Sequence, residues 1–182
     1  MSPGPRVVVV SGHMVDVPDR PQPRFPPEAV ARVEADMREA LAAWEVDAAT
    51  TVVTGGARGA DLLGAEAALD RDAQVQLVLA FPPEEFERRS VAVAGTDWAE
   101  RFRAVLASAR VEVIAQSPDG DVYARANARL IEIARALDPQ PHALIVWDGR
   151  EGDGPGGTRD FIAQLGVSGP DDRVRIIAPA RS

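Results

Sequence analysis

Six short apolar runs rich in β-branched residues recur along the chain: "RVVVV" (6–10), "TTVVTG" (50–55), "VQLVLAF" (75–81), "VEVIAQ" (111–116), "HALIVWDG" (142–149) and "RVRIIAP" (173–179). A strand with one wet face alternates apolar and polar residues, so an unbroken run such as Val7 to Val10 requires cover on both faces. Helical stretches fall between the runs, at 27–45, 58–72, 97–109, 121–137 and 157–165. Val30, Val33, Met37 and Leu41 illustrate the apolar stripe of one such helix. Strand and helix alternate throughout, which predicts an α/β fold of three layers, α/β/α, around a mainly parallel sheet of six or more strands joined by right-handed crossovers. At 182 residues the chain is expected to form a single domain, 1–182.

Local signals refine this outline. Asp97 followed by Glu100 reads as a capping box, and "PPEEF" (82–86) places prolines and acids where a first helical turn accepts them. Five prolines between Pro18 and Pro27 mark a long loop after the first strand, either a stiff connector or a lid over a ligand.

Composition closes several routes. No apolar run approaches the 18 residues of a membrane span, and "VVVV" ends at once in Ser11, Gly12 and His13; a soluble, cytoplasmic protein with no membrane partner is the expectation. Cysteine is absent, which removes disulfides, a thiol nucleophile and thiolate metal sites. All 20 cationic side chains are arginine, so Schiff-base chemistry and a P-loop lysine are excluded too. The two histidines lie far apart and give no metal spacing; neither a metal nor a required cofactor is expected. A net charge of −8 disfavours broad nucleic-acid binding but permits a local anion site.

In open parallel sheets, ligands bind beyond the carboxyl ends of the strands. That rule selects Ser11, Gly12 and His13 after the first strand, "TGGARGAD" (54–61) after the second, and "WDGREGDGPGGTRDF" (147–161) after the fifth. Gly55, Gly56 and Gly59 permit a sharp turn and close approach of a ligand, Arg58 offers a fork of donors at the cleft mouth, and the next helix begins there. The alternative is a turn that binds nothing. Gly152, Gly154, Gly156 and Gly157, with Thr158 as a helix cap, form a second such loop, and two loops at one sheet edge would make opposed anion-binding walls. His13 is placed either to touch a base or phosphate or to serve structure. Asp61, Asp148 and Asp160 are candidates for acid, base or ribose-hydroxyl acceptor, or for solvated carboxylates at helix starts. Tyr123 and Asn127, one helical turn apart, share a polar rim or ordinary surface.

"TGGARGADLLGAEAAL" and "WDGREGDGPGGTRDF", with "SGH" before them and "YARAN" between them, resemble the glycine motifs of the SLOG superfamily. This Rossmann-like group includes the DNA-processing DprA/Smf proteins and the cytokinin-activating LOG phosphoribohydrolases, and the likeness is to the branch that carries GGARGAD. The resemblance implies a nucleotide or nucleotide-derived small molecule held between the glycine loops, for sensing or processing, in a protein that can form homo-oligomers such as dimers. It also implies an alternative, hydrolysis of the N-glycosidic bond of a nucleoside 5′-monophosphate. The phosphoribohydrolase motif PGGxGTxxE is altered here: counted from Thr158, the glutamate position is Phe161, with Asp160 beside it. The position of the family's catalytic arginine is Ala126 or, shifted by one, Arg125. Asp160, Asp148 and Arg125 are thus the candidate catalytic residues of that alternative. A non-catalytic interaction domain that retains the fold is the second alternative.

Overall fold

The computed structural model describes residues 4–117, 120–150, 157–167 and 171–179. Six strands, β1 (Val7–Gly12), β2 (Thr51–Thr54), β3 (Gln74–Leu79), β4 (Arg110–Val113), β5 (His142–Val146) and β6 (Val174–Ile177), form one sheet in the order β4-β3-β2-β1-β5-β6. Every neighbouring pair is parallel, with Val8 beside Val52 on one flank and beside His142 on the other. This is an α/β Rossmann-like fold.

The valine run of β1 explains the layers. Val8 and Val10 join a core with α1 (Val30–Ala43), α2 (Ala60–Leu69) and α4 (Trp98–Ser108), where Met37, Leu62 and Phe102 are fully buried. Val7 and Val9 point the other way, against Leu130 and Ile131 of α5 (Val122–Leu137) and Phe161 of α6 (Thr158–Leu165). All four valines are completely buried, so none of these four positions tolerates a polar residue facing water. The chain builds outward from β1 to β4 with its helices on one face. It then returns to lay β5 on the far side of β1, and because crossovers keep one hand, the reversal sends α5 and α6 to the opposite face. The point of reversal lies between β1 and β5, where their carboxyl ends leave a crevice.

Two local expectations are corrected. Asp97 precedes α4 but forms no side-chain cap bond; its φ of −95° and ψ of 7° lie outside the extended conformation that aims a capping side chain at the helix. Thr158 is the first residue inside α6 rather than its cap, a position held by Gly157, and its hydroxyl is turned toward His13 instead. Between β3 and α4 the chain adds a short helix, α3 (Pro83–Phe86), that widens into a π-type turn over Glu87–Val91.

Candidate functional site

A cavity of about 330 Å³ opens at the carboxyl edge of the sheet, lined by residues of β1, the loops after β1 and β2, α5 and the start of α6. Its size falls at the lower end of small-molecule sites.

The proline-rich segment after β1 roofs part of it. Asp16, almost fully buried, accepts the backbone N–H groups of Arg24 and Phe25 with Oδ2 at 2.9 and 3.0 Å, and its own N–H donates to the Phe25 carbonyl. Phe25 is completely buried. The loop is therefore closed at its neck and anchored in the core, a compact strap whose Val15, Val17, Arg20 and Arg24 line the cavity.

The β2–α2 junction meets this strap from below. Met14 and Gly59 form an antiparallel bridge, and a Cβ on Gly59 would lie 2.7 Å from both the His13 carbonyl oxygen and the Val15 nitrogen. With φ at +104°, only glycine suits the position. Arg58 corrects the expectation of an exposed side chain at the cleft mouth: it is 8% exposed, and its Nε donates to the Val15 carbonyl at 2.9 Å. Burial pulls its pKa down, Asp16 opposes this and Arg20 adds to it. Arg58 still borders the cavity, but it clamps strap to junction.

Backbone donors at this junction are already engaged. The Ala57 N–H donates to Asp61 Oδ2 at 3.1 Å, the Arg58 N–H to the Ser90 carbonyl, and the Ala60 N–H to the His13 carbonyl. Asp61 thus fills, with its own carboxylate, part of the anion position the glycines suggest. Burial pushes its carboxyl up to about 7, against the opposing pull of the Ala57 N–H and the Thr54 hydroxyl. A group in that state can donate or accept a hydrogen bond near neutral pH.

A second constellation sits at the crevice between β1 and β5. His13 follows β1, and its Nε2 lies 2.9 Å from Asp148 Oδ1, just beyond β5. On the other side of the ring, Nδ1 lies 3.4 Å from Thr158 Oγ1 at the start of α6. All three side chains are nearly buried. For Asp148, burial alone would raise the pKa, but the His13 and Arg150 N–H hydrogen bonds, aided by the charge of Arg24, hold it below the ordinary carboxylate value. Its second oxygen is buried, with no hydrogen-bond partner among the described residues.

Gly12, His13, Gly55, Arg58, Asp61, Asn127, Gly157 and Thr158 all border the same cavity. Gly56 is turned into the core, against Leu79 and Leu77. Gly154 and Gly156 lie outside the described residues. The catalytic trio is not assembled. Asp160 accepts a hydrogen bond from Gln164 on its own helix, and exposed Arg125 pairs with Asp121; neither borders the cavity, whereas Ala126 does. Phe161, at the glutamate position, is completely buried in the core. Arg20, Arg24, Phe86, Ser90 and Leu130 border the site without having been singled out by motif. The cations in "DRPQPR" beside so many prolines were the one available signal. Tyr123 is tied to it by a 3.3 Å hydroxyl contact with Ser90 and edge-on packing against Phe81. Among the described residues, no group of three or more His, Asp or Glu side chains is placed to hold a metal ion, and no helix is long and apolar enough to cross a membrane.

No protein-family model and no curated protein matches the chain. Among solved structures, it is similar to DNA processing protein A (DprA) from Streptococcus pneumoniae, at 12% identity and a TM-score of 0.43, over 96% of this chain and 59% of that one. The chain therefore spans less than two thirds of that protein's length, and its own sheet order and layering are what define it as Rossmann-like.

Proposed function

We propose that the cavity binds a nucleotide or a nucleotide-derived small anion. One observation carries this reading: a cleft at the point where the strand order reverses joins apolar wall, from Val78, Ala80, Phe86 and Leu130, to the cations Arg20 and Arg24. An aromatic base needs the former and a phosphate the latter. Asn127 and Asp61, which line the same cavity from α5 and α2, supply hydrogen-bonding partners for ring edges or ribose hydroxyls. The SLOG-like glycine motifs support the same ligand class. N-glycoside hydrolysis by Asp160 and Arg125 loses ground, because neither faces the cavity.

Thermal-shift screening against nucleoside mono-, di- and triphosphates, nicotinamide dinucleotides and cyclic nucleotides tests the proposal. A ligand at 100 times its dissociation constant stabilises by about 2.7 kcal/mol. Replacing Arg20 and Arg24 together by alanine should weaken binding by about tenfold to a hundredfold. No stabilisation by any of these compounds, or equal affinity of the double variant, sinks the reading. Single-stranded DNA is expected not to bind appreciably at physiological salt, since the chain carries a net charge of −8.

A further inference from the structure

We infer that Asp148, His13 and Thr158 form an oriented nucleophile, in which the Thr158 hydroxyl attacks the phosphorus of a nucleotide-type phosphoanhydride. The inference rests on the ligand reading above and adds chemistry to it.

Tautomer and direction follow from the contacts. An ionised carboxylate can only accept, so Asp148 Oδ1 takes a proton-bearing Nε2 at 2.9 Å. The neutral ring then presents a lone pair at Nδ1, and the Thr158 hydroxyl, 3.4 Å away, donates to it. The hydroxyl proton thus points at a base, which leaves the oxygen's lone pairs for an electrophile. His13 and Thr158 both border the cavity, while Asp148 stands behind the ring and away from it. That is the order of roles in a nucleophile, base and orienting acid, recognised by geometry rather than by sequence position.

The surroundings select the electrophile. Thr158 is the first residue of α6, so charge developing on a transferring group meets the positive end of that helix, while Arg20 and Arg24 border the same space. A phosphoryl group fits this field. The base serves the attacking oxygen, so the leaving oxygen must depart without a proton from it, which favours an anhydride, whose leaving phosphate is a weak base. In the first step the Oγ–P bond forms, the anhydride P–O bond breaks, and the Thr158 proton passes to Nδ1 while Asp148 steadies the imidazolium. Water then attacks phosphothreonine; the Oγ–P bond breaks, Nδ1 returns its proton to Oγ, and the water's proton leaves with inorganic phosphate. The sum is hydrolysis of the anhydride with the side chains restored.

The experiment uses the full chain with ADP and ATP in magnesium-containing buffer, and follows phosphate release, intact mass and calorimetric binding together. Wild type should release phosphate and carry one phosphoryl group that maps to Thr158. Thr158→Val, nearly isosteric, and His13→Gln should each lower release by roughly 10²–10⁴-fold, with binding of either nucleotide changed less than tenfold. Thr158→Ser should restore release to within about tenfold of wild type, which a purely structural hydroxyl contact would not require. Circular dichroism establishes that the Thr158→Val protein is folded. Binding without transfer, or release that persists in Thr158→Val, overturns the nucleophile and leaves the pocket standing. Neither binding nor transfer overturns both readings.

Discussion

Two strand-to-helix junctions face one cavity, and they spend their polar groups differently. At β2–α2, the donors of Ala57, Arg58 and Ala60 are taken up by Asp61, the Ser90 carbonyl and the His13 carbonyl. This junction binds itself to the neighbouring strap. At β5–α6, the side chains at its two ends, Asp148 and Thr158, meet across His13, the residue that follows β1. At β2–α2 the glycines report the backbone path, because the positive φ of Gly56 and Gly59 needs them whether or not a ligand follows. The chemistry comes from side chains delivered by other segments, and those are invisible to a local motif.

The largest expected effect separates the two junctions by their tolerance of a side chain. Gly59→Val forces a positive φ on a β-branched residue and drives its Cβ into two backbone atoms of the strap, neither of which can swing aside. A loss of about 3 kcal/mol or more is expected, or roughly 6–12 °C in Tm for a chain of this length. Gly149, just after β5, also has a positive φ, of 78°, but among the described residues a Cβ there meets nothing within 4 Å. Gly149→Ala should therefore cost only the conformational strain, about 1 kcal/mol. Thermal melts of the two variants decide the matter, and equal losses would erase the distinction between the locked turn at Gly59 and the turn at Gly149.

Arg58→Ala comes next. Removing a buried guanidinium leaves the Val15 carbonyl without its 2.9 Å donor and loosens the strap at its attachment to α2. About 2 kcal/mol is expected, near 4–8 °C in Tm, without any ligand present. Exposure of the strap to limited proteolysis between Pro18 and Arg24 should rise in parallel. An unchanged melt would return Arg58 to the cleft mouth, the place its sequence context suggested.

These residues show what could be read in advance. The layers were legible because hydrophobic burial acts on every residue of a strand: four consecutive valines with no polar alternative demand helices on both faces, and the six runs all became parallel strands. The crevice was legible through a rule of topology. Arg58 was misread since an arginine among glycines looks solvent-facing, and only the returning strap, some 40 residues earlier in sequence, buries it. Asp97 failed as a cap for a related reason: its residue type was right, but backbone angles decide where a side chain aims. His13, Asp148 and Thr158 were each visible singly, yet their meeting depends on β5 pairing with β1, a long-range event with no local signature.

The smallest effects sharpen the comparison most, because the carboxylates of the two junctions should titrate with opposite sign. Asp61 is raised to about 7 by burial, so its proton is held more tightly in the folded protein than in the unfolded chain. Its contribution to stability is complete below the unfolded value near 4, and is lost as pH rises through 7. Asp61→Asn can keep an acceptor for the Ala57 N–H while removing the charge; it should therefore stabilise the protein at pH 8 by about 1–2 kcal/mol, allowing for partial exposure, and change nothing at pH 4. Asp148 is held below its ordinary value, since the His13 and Arg150 contacts outweigh the cost of burial. Its contribution is present at neutral pH and lost as pH falls through that depressed value. Asp148→Asn should thus destabilise at pH 7 by about 1 kcal/mol, the difference between a charged and a neutral acceptor for the imidazole, and the loss should fade in acid. Urea denaturation across pH 2–8 gives both difference curves: the Asp148→Asn loss should develop below about pH 5 and stay level above it, whereas the Asp61→Asn gain should appear only as pH rises toward 8. Curves that run together would mean that the two carboxylates sit in equivalent fields, and the contrast between a self-closed junction and a chemically poised one would fail.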